Sequence, residues 1–137
     1  MHFVLPFAKI LFLTLLLPGS VRLVAQQRYT KTDSIRVWEY LSKADAWIDD
    51  SRFDSAMNFA NRALLESNRL KFLRGEAYAH LKIAEVHYRK SEHAVLGYYD
   101  SAALRTGIVL KDTPLIALAT YQLGQYFFEQ KKSYYIF

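Results

Sequence analysis

The chain has 137 residues, enough for one domain; 52% are apolar and 15% aromatic, a composition that excludes a disordered chain. It has no cysteine, which excludes a disulfide framework, a thiolate metal site, a cysteine nucleophile and a lipoprotein-type acylated cysteine. The net charge of +5 falls to +3 once Lys9 and Arg22 near the amino terminus are set aside, and the other basic residues are interspersed with acidic ones, as in Asp49-Asp50-Ser51-Arg52, so no basic stripe suited to nucleic acid is visible.

Residues 1–25 read as a secretory signal peptide. Phe3 to Leu17 is apolar apart from Pro6, Lys9 and Thr14, Pro18-Gly19-Ser20 breaks the run, and Val24-Ala25 precedes Gln26-Gln27. The apolar run is about fifteen residues, short of the roughly twenty that a spanning helix needs. An uncleaved membrane anchor is the other reading, and either one implies export. With no lipobox cysteine, the expected compartment is the bacterial periplasm or cell envelope. Residues 26–33 read as a linker, and 34–137 as the folded domain.

Thr32-Asp33-Ser34 supplies N-cap candidates for a first helix, in which Trp38, Leu41, Ala44 and Ile48 follow at spacings of three and four. Ser51 and Asp54 resemble a capping box for a second helix, whose stripe is Phe53, Ala56, Met57, Ala60, Ala63 and Leu64. So short a turn makes the two helices pack antiparallel. A polar stretch, Glu66 to Gly75, carries Leu70, Phe72 and Leu73 and is expected to stay partly helical. The second hairpin uses Leu81, Ala84 and Tyr88, a joint at Lys90-Ser91-Glu92, then Leu96, Tyr99, Ala103 and Leu110. Thr113 fits an N-cap and Pro114 the first helical position of a fifth helix, with Ile116, Ala119, Leu123 and Phe127 as its stripe. No segment alternates with period two, so an all-α fold is expected.

The chain also matches itself forty residues on. Leu41 meets Leu81, Ala44 meets Ala84, Ser51 meets Ser91, Phe59 meets Tyr99, Ala63-Leu64 meets Ala103-Leu104, Ala84 meets Gly124, and His87 meets Phe127. Small residues fall on small ones and aromatics mostly on aromatics. A hairpin that cannot bury its own stripe stacks on copies of itself.

In this the sequence resembles the tetratricopeptide repeat family, whose pattern places small and aromatic residues at fixed points of two helices. Copy one supplies Ala44, Trp47, Ala56, Phe59 and Ala63. Copy two supplies Ala84, Tyr99 and Ala103, departing at His87 and Leu96, and a partial copy supplies Gly124 and Phe127. The resemblance implies a right-handed helical-hairpin solenoid of about two and a half repeats, at 37–76, 77–116 and, in part, 117–137. The period exceeds the family's usual length of about thirty-four residues, which implies longer helices. Ala84 and Ala103 are then expected to carry the packing of the stack.

The resemblance also implies a groove lined by the first helices of successive repeats. Carried over, the lining is Trp38, Leu41, Asp45, Ile48 and Asp49; then Tyr78, Leu81, Glu85, Tyr88 and Arg89; then Leu118, Tyr121, Gln125, Phe128 and Glu129. Aromatic and aliphatic anchors beside carboxylates and an arginine suit an extended or helical peptide. Where the family's best-known peptide clamp uses Asn and Lys, this chain has Asp45, Glu85 and Gln125. The aromatics fit equally well as packing between neighbouring first helices.

His80 and His87 share a helix face and fit either packing or, with a third ligand from Glu76, Glu92 or His93, a metal; His87 occupies an aromatic slot of the repeat, which favours packing. The sequence carries no phosphate loop, nucleophile elbow or zinc-protease helix, so the chain is expected to be no enzyme and to need no cofactor or metal. The expected function is an exported scaffold binding a protein or peptide segment, with self-association through the open ends of the stack, no nucleic acid and no small-molecule substrate. The alternative is the amino-terminal sensor piece of a larger membrane-bound signalling protein, of the two-component kinase or transcription-regulator type; membrane contact is then through an uncleaved leader or a downstream region.

Overall fold

The computed structural model describes residues 31–134, with side-chain environments for 34–132. The leader and most of the linker, together with Tyr135-Ile136-Phe137, lie outside the described residues. Five α-helices follow one another: α1 (Lys31–Asp49), α2 (Phe53–Leu70), α3 (Leu73–Arg89), α4 (Leu96–Leu110) and α5 (Thr113–Tyr134). A short 3₁₀ turn, His93–Val95, leads into α4. Among the described residues there is no strand, and no helix is long and apolar enough to cross a membrane.

Four turns of one kind set the architecture. Ser51, Lys71, Ser91 and Lys111 each take a left-handed backbone, with φ between 52° and 60°, at intervals of twenty residues. In each turn the N–H of the left-handed residue donates to the carbonyl three residues back. The next N–H donates to the carbonyl five back, as in Arg52 to Trp47 at 2.8 Å and Asp112 to Gly107 at 3.0 Å. This is the Schellman closure, here made without glycine.

These turns displace several expected caps. Ser51 is the left-handed residue, and Arg52 takes the N-cap position with no side-chain cap, so the Ser51–Asp54 capping box does not form. Asp112, not Thr113, caps α5: its Oδ1 accepts the Leu115 N–H at 3.1 Å. Helix α1 starts at Lys31, so Thr32-Asp33-Ser34 lies within it and the linker ends earlier than expected. Helix α2 runs to Leu70 and α3 starts at Leu73, which confines the break in the polar stretch to two residues. Helix α5 passes through Glu129 to Ser133, where the forty-residue frame puts another turn.

The core forms two successive three-helix seams. In the first, Val37, Leu41 and Ala44 of α1 meet Ala60, Ala63 and Leu70 of α2 and Ala79 and Ile83 of α3; Ile48, Ala56 and Val86 close its far end. In the second, Ala77 and Leu81 of α3 meet Ala103 of α4 and Leu115 and Ala119 of α5. Helix α3 belongs to both, presenting Ala79, Ile83 and Val86 to one side and Ala77 and Leu81 to the other. Its burial all round follows from that double role. Each fully buried Leu or Ile contributes on the order of 1.5–3 kcal/mol.

Small residues decide how closely the helices approach. Ala56, Ala60 and Ala63 of α2 are fully buried. A Cβ added to Gly75 on α3 would lie 2.5 Å from Phe72 Cδ1 and 2.6 Å from Ser67 Oγ. Trp47 and Phe59 are half-buried at the seam edges, the Trp47 ring under the Arg52 guanidinium at 4.3 Å and Phe59 beside Tyr40 at 6.2 Å. Tyr99 takes the matching place in the second hairpin, with the rings of His80 and His87 at 5.6 Å and 6.1 Å, so both histidines are packed side chains. Two expected packing residues have no such role. Gly124 and Phe127 are exposed, and nothing stands within 4 Å of a Cβ placed on Gly124.

Candidate functional site

The expected groove positions divide into three groups. Leu41, Leu81 and Ile48 are core residues, at 4%, 0% and 3% exposure, and do not line a surface. On a helix the stripe at spacings of three and four is wider than the exposed strip, and these three lie on its inner edge. Trp38 and Tyr78 pack edge to face on each other, ring centres 5.3 Å apart, while Phe72 meets Trp38 at 5.9 Å. The Arg74 guanidinium lies over both Trp38 and Tyr78 and is anchored by Asp112 at 2.6 Å. Here first helix packs on first helix, though Trp38 keeps about a third of its surface open. Asp49 and Arg89 are exposed.

Most of the remaining positions converge on one pocket. A cavity of about 480 Å³ opens between α3, α4 and α5. Its walls are Lys82, Ala84, Glu85, Tyr88 and Arg89 from α3, Leu96 and Asp100 from α4, and Leu118, Tyr121, Gln122 and Gln125 from α5. Glu85, Tyr88, Arg89, Leu118, Tyr121 and Gln125 were expected in a groove, and the fold brings them together. A second depression beside it is lined by Tyr88, Thr120, Tyr121, Gly124, Gln125, Phe128 and Glu129. Tyr121 and Phe128 are 64% and 68% exposed, and Gln125 Nε2 donates to the Tyr121 hydroxyl at 3.1 Å.

Asp45 lies outside the pocket but holds its edge. Lys82 Nζ, mostly covered, bridges Asp45 Oδ1 of α1 at 2.5 Å and Glu85 Oε2 at 2.9 Å. Burial works against the Lys82 charge, but the two carboxylates outweigh it and hold its pKa above the usual lysine value. Arg89 reaches the other Glu85 oxygen at 3.8 Å.

Asp100 is the residue that sequence reasoning missed. It is 1% exposed, on the face of α4 that also buries Leu96, Ala103 and Gly107. With its amide nitrogen turned toward α4, Gln122 donates to Asp100 Oδ1 at 3.0 Å and to the Leu81 carbonyl at 3.3 Å. No cation is paired with this carboxylate among the described residues, and burial pushes its pKa up to about 7. A signal was present: in the forty-residue frame Asp100 falls on Ala60, so a carboxylate replaces a small core residue. A lone buried acid whose titration is moved to neutrality, in a cleft with aromatic walls, is the arrangement expected of a binding site.

In comparisons with protein-family models, curated proteins and solved structures, nothing matches this chain.

Proposed function

We propose that the chain is a binding module that holds an extended or helical segment of another polypeptide along the face shared by α1, α3 and α5. The observation that carries this reading is the pocket between α3, α4 and α5, with Tyr88 and Tyr121 beside carboxylates, amides and an arginine. Large aromatics at the mouth of a cleft, with a few convergent polar groups, supply the anchors on which polypeptide recognition depends. Tyr121 and Phe128 are already exposed, so no rearrangement is needed to offer them.

Stacked hairpins of the tetratricopeptide kind are the architecture that goes with this reading. The two seams sharing α3, and the four matching turns, support it. The signal-peptide pattern of residues 1–25 supports an exported scaffold, outside the cytoplasm.

Photo-cross-linking tests the reading in the native host. A benzophenone amino acid replaces Tyr121 in one strain and Leu65, exposed on α2 away from the pocket, in another. The proposal predicts a discrete cross-linked partner band from position 121 and none from 65. Cross-links from position 65 alone, or none from either, contradict it.

A further inference from the structure

The two seams differ in charge at corresponding places. In the first, Lys82 of α3 reaches back to Asp45 of α1, and α2 offers only Ala60 beneath. One repeat on, α5 carries Gln122 where α3 carries Lys82, and α4 carries Asp100 where α2 carries Ala60. The second seam has therefore lost an internal cation and gained a buried carboxylate. Around the pocket, Asp45 and Glu85 are matched by Lys82 and Arg89, while Asp100 has only the neutral Gln122 amide. Burying a carboxylate with no cationic partner is costly, and such an acid in a cleft marks a candidate site for a ligand that supplies the partner.

We infer that the pocket between α3, α4 and α5 seats a basic side chain, lysine or arginine, of the bound polypeptide, with Asp100 as its counter-ion and Tyr88 and Tyr121 as flanking aromatics. This rests on the module reading and names the chemistry its ligand must carry. The basic group occupies in the second seam the place that Lys82 occupies in the first. Tyr88 and Tyr121 line the same cavity, within reach of a cation–π contribution to that group. The cavity, at about 480 Å³, has room for a guanidinium and the methylenes that carry it.

Binding of this kind draws on the ionised form of Asp100. The charged or titratable groups facing the pocket are Lys82, Glu85, Tyr88 and Arg89 from α3, Asp100 itself from α4, and Tyr121 from α5. Behind Tyr88 lies His93, ring centres 5.6 Å apart. With the Asp100 pKa at about 7, its ionised fraction falls roughly tenfold between about pH 8 and about pH 6.

The test titrates the full chain with N-acetyl-arginine amide, and with N-acetyl-citrulline amide as the neutral isostere. Binding is followed by NMR at the side-chain amide of Gln125, which lines the same pocket and is kept in every variant. The inference predicts saturable binding of the arginine compound only, about tenfold weaker at about pH 6 than at about pH 8, with the same pH dependence in His93→Gln. Asp100→Asn loses the binding, and so does Gln122→Lys, which installs the internal cation of the first seam; if Asp100→Asn does not fold, Gln122→Lys carries the test. Equal binding of the citrulline compound, unchanged binding by folded Gln122→Lys, or no saturation overturns it. A cross-linked partner at position 121 that binds as well after its basic residues are replaced would sink this inference and leave the module reading standing.

Discussion

Asp100 stands where Ala60 stands in the preceding hairpin, and each side chain is buried beside the two other helices of its own seam, α1 and α3 for Ala60 and α3 and α5 for Asp100. One is a methyl group and the other a carboxylate, so the second hairpin carries an electrostatic cost that the first does not. An unfolded aspartate titrates near 3.8, and Asp100 titrates at about 7 in the folded chain. Between those values the folded state holds the extra proton, so stability falls as pH rises from about 4 to about 7. The Gln122 hydrogen bond to the carboxylate offsets part of the burial cost, which above that range is on the order of 1–3 kcal/mol. Asp100→Asn mimics the protonated form. It should be more stable than the wild type by about 1–3 kcal/mol at about pH 8 and indistinguishable from it at about pH 4. Urea unfolding at the two pH values measures the difference, and a variant less stable at both would contradict the assignment.

The four left-handed turn residues have side chains where glycine is easiest. For Ser91→Gly and Lys111→Gly, relief of the left-handed strain outweighs the added freedom of the unfolded chain. Each should raise stability by about 0.5–1 kcal/mol. Thermal melts read this directly, and the same change at Ser101, inside α4, should lower stability instead.

Ser67 Oγ is buried with no hydrogen-bond partner among the described residues, and it lies against the backbone of Gly75. Ser67→Ala should gain about 1 kcal/mol by removing an unsatisfied hydroxyl. Gly75→Ala should lose about 1–3 kcal/mol, because its methyl would overlap Phe72. The opposite signs at two touching positions are the content of the prediction, and equilibrium denaturation of both variants decides it.

Ala60 and Ala84 look alike in sequence and differ in what surrounds them. Ala60 packs with Ala44 and Ile83, whereas Ala84 faces the pocket. Ala60→Leu should overpack the first seam at a cost of about 1–3 kcal/mol. Ala84→Leu has a cavity to enter and should cost well under that while filling the site, which calorimetric melts and ligand titration separate.

Much of the scaffold was legible from the chain alone. The stripe positions Leu41, Ala44, Leu81 and Ala103 are buried, and small residues mark the close approaches. Periodicity tells which face of a helix is apolar, but not whether that face has a neighbour. For that reason Gly124 and Phe127 read as packing residues and are exposed, and Leu41 and Leu81 read as groove residues and are core. The caps were misplaced for a different reason. A Schellman turn made with Ser or Lys carries no glycine to mark it, so Ser51 looked like an N-cap. Ala84 reads as a packing residue of the stack and is buried, but it also lines the pocket beside Gln122 and Asp100, which sequence alone does not show. Asp100 is not legible as a site residue because the apolar and small members of its stripe, Leu96, Ala103 and Gly107, mark that face of α4 as core.

The central claim is that a polypeptide binds on the pocket face. Its most direct measurement is calorimetric titration of a display-selected peptide into the full wild-type chain, a Tyr88→Ala/Tyr121→Ala variant and a Leu65→Ala variant. Loss of both anchors should weaken the peptide by at least about tenfold, with helical content retained, while Leu65→Ala leaves the affinity unchanged. Equal affinity for the wild type and the double variant, or a loss confined to Leu65→Ala, would contradict the account.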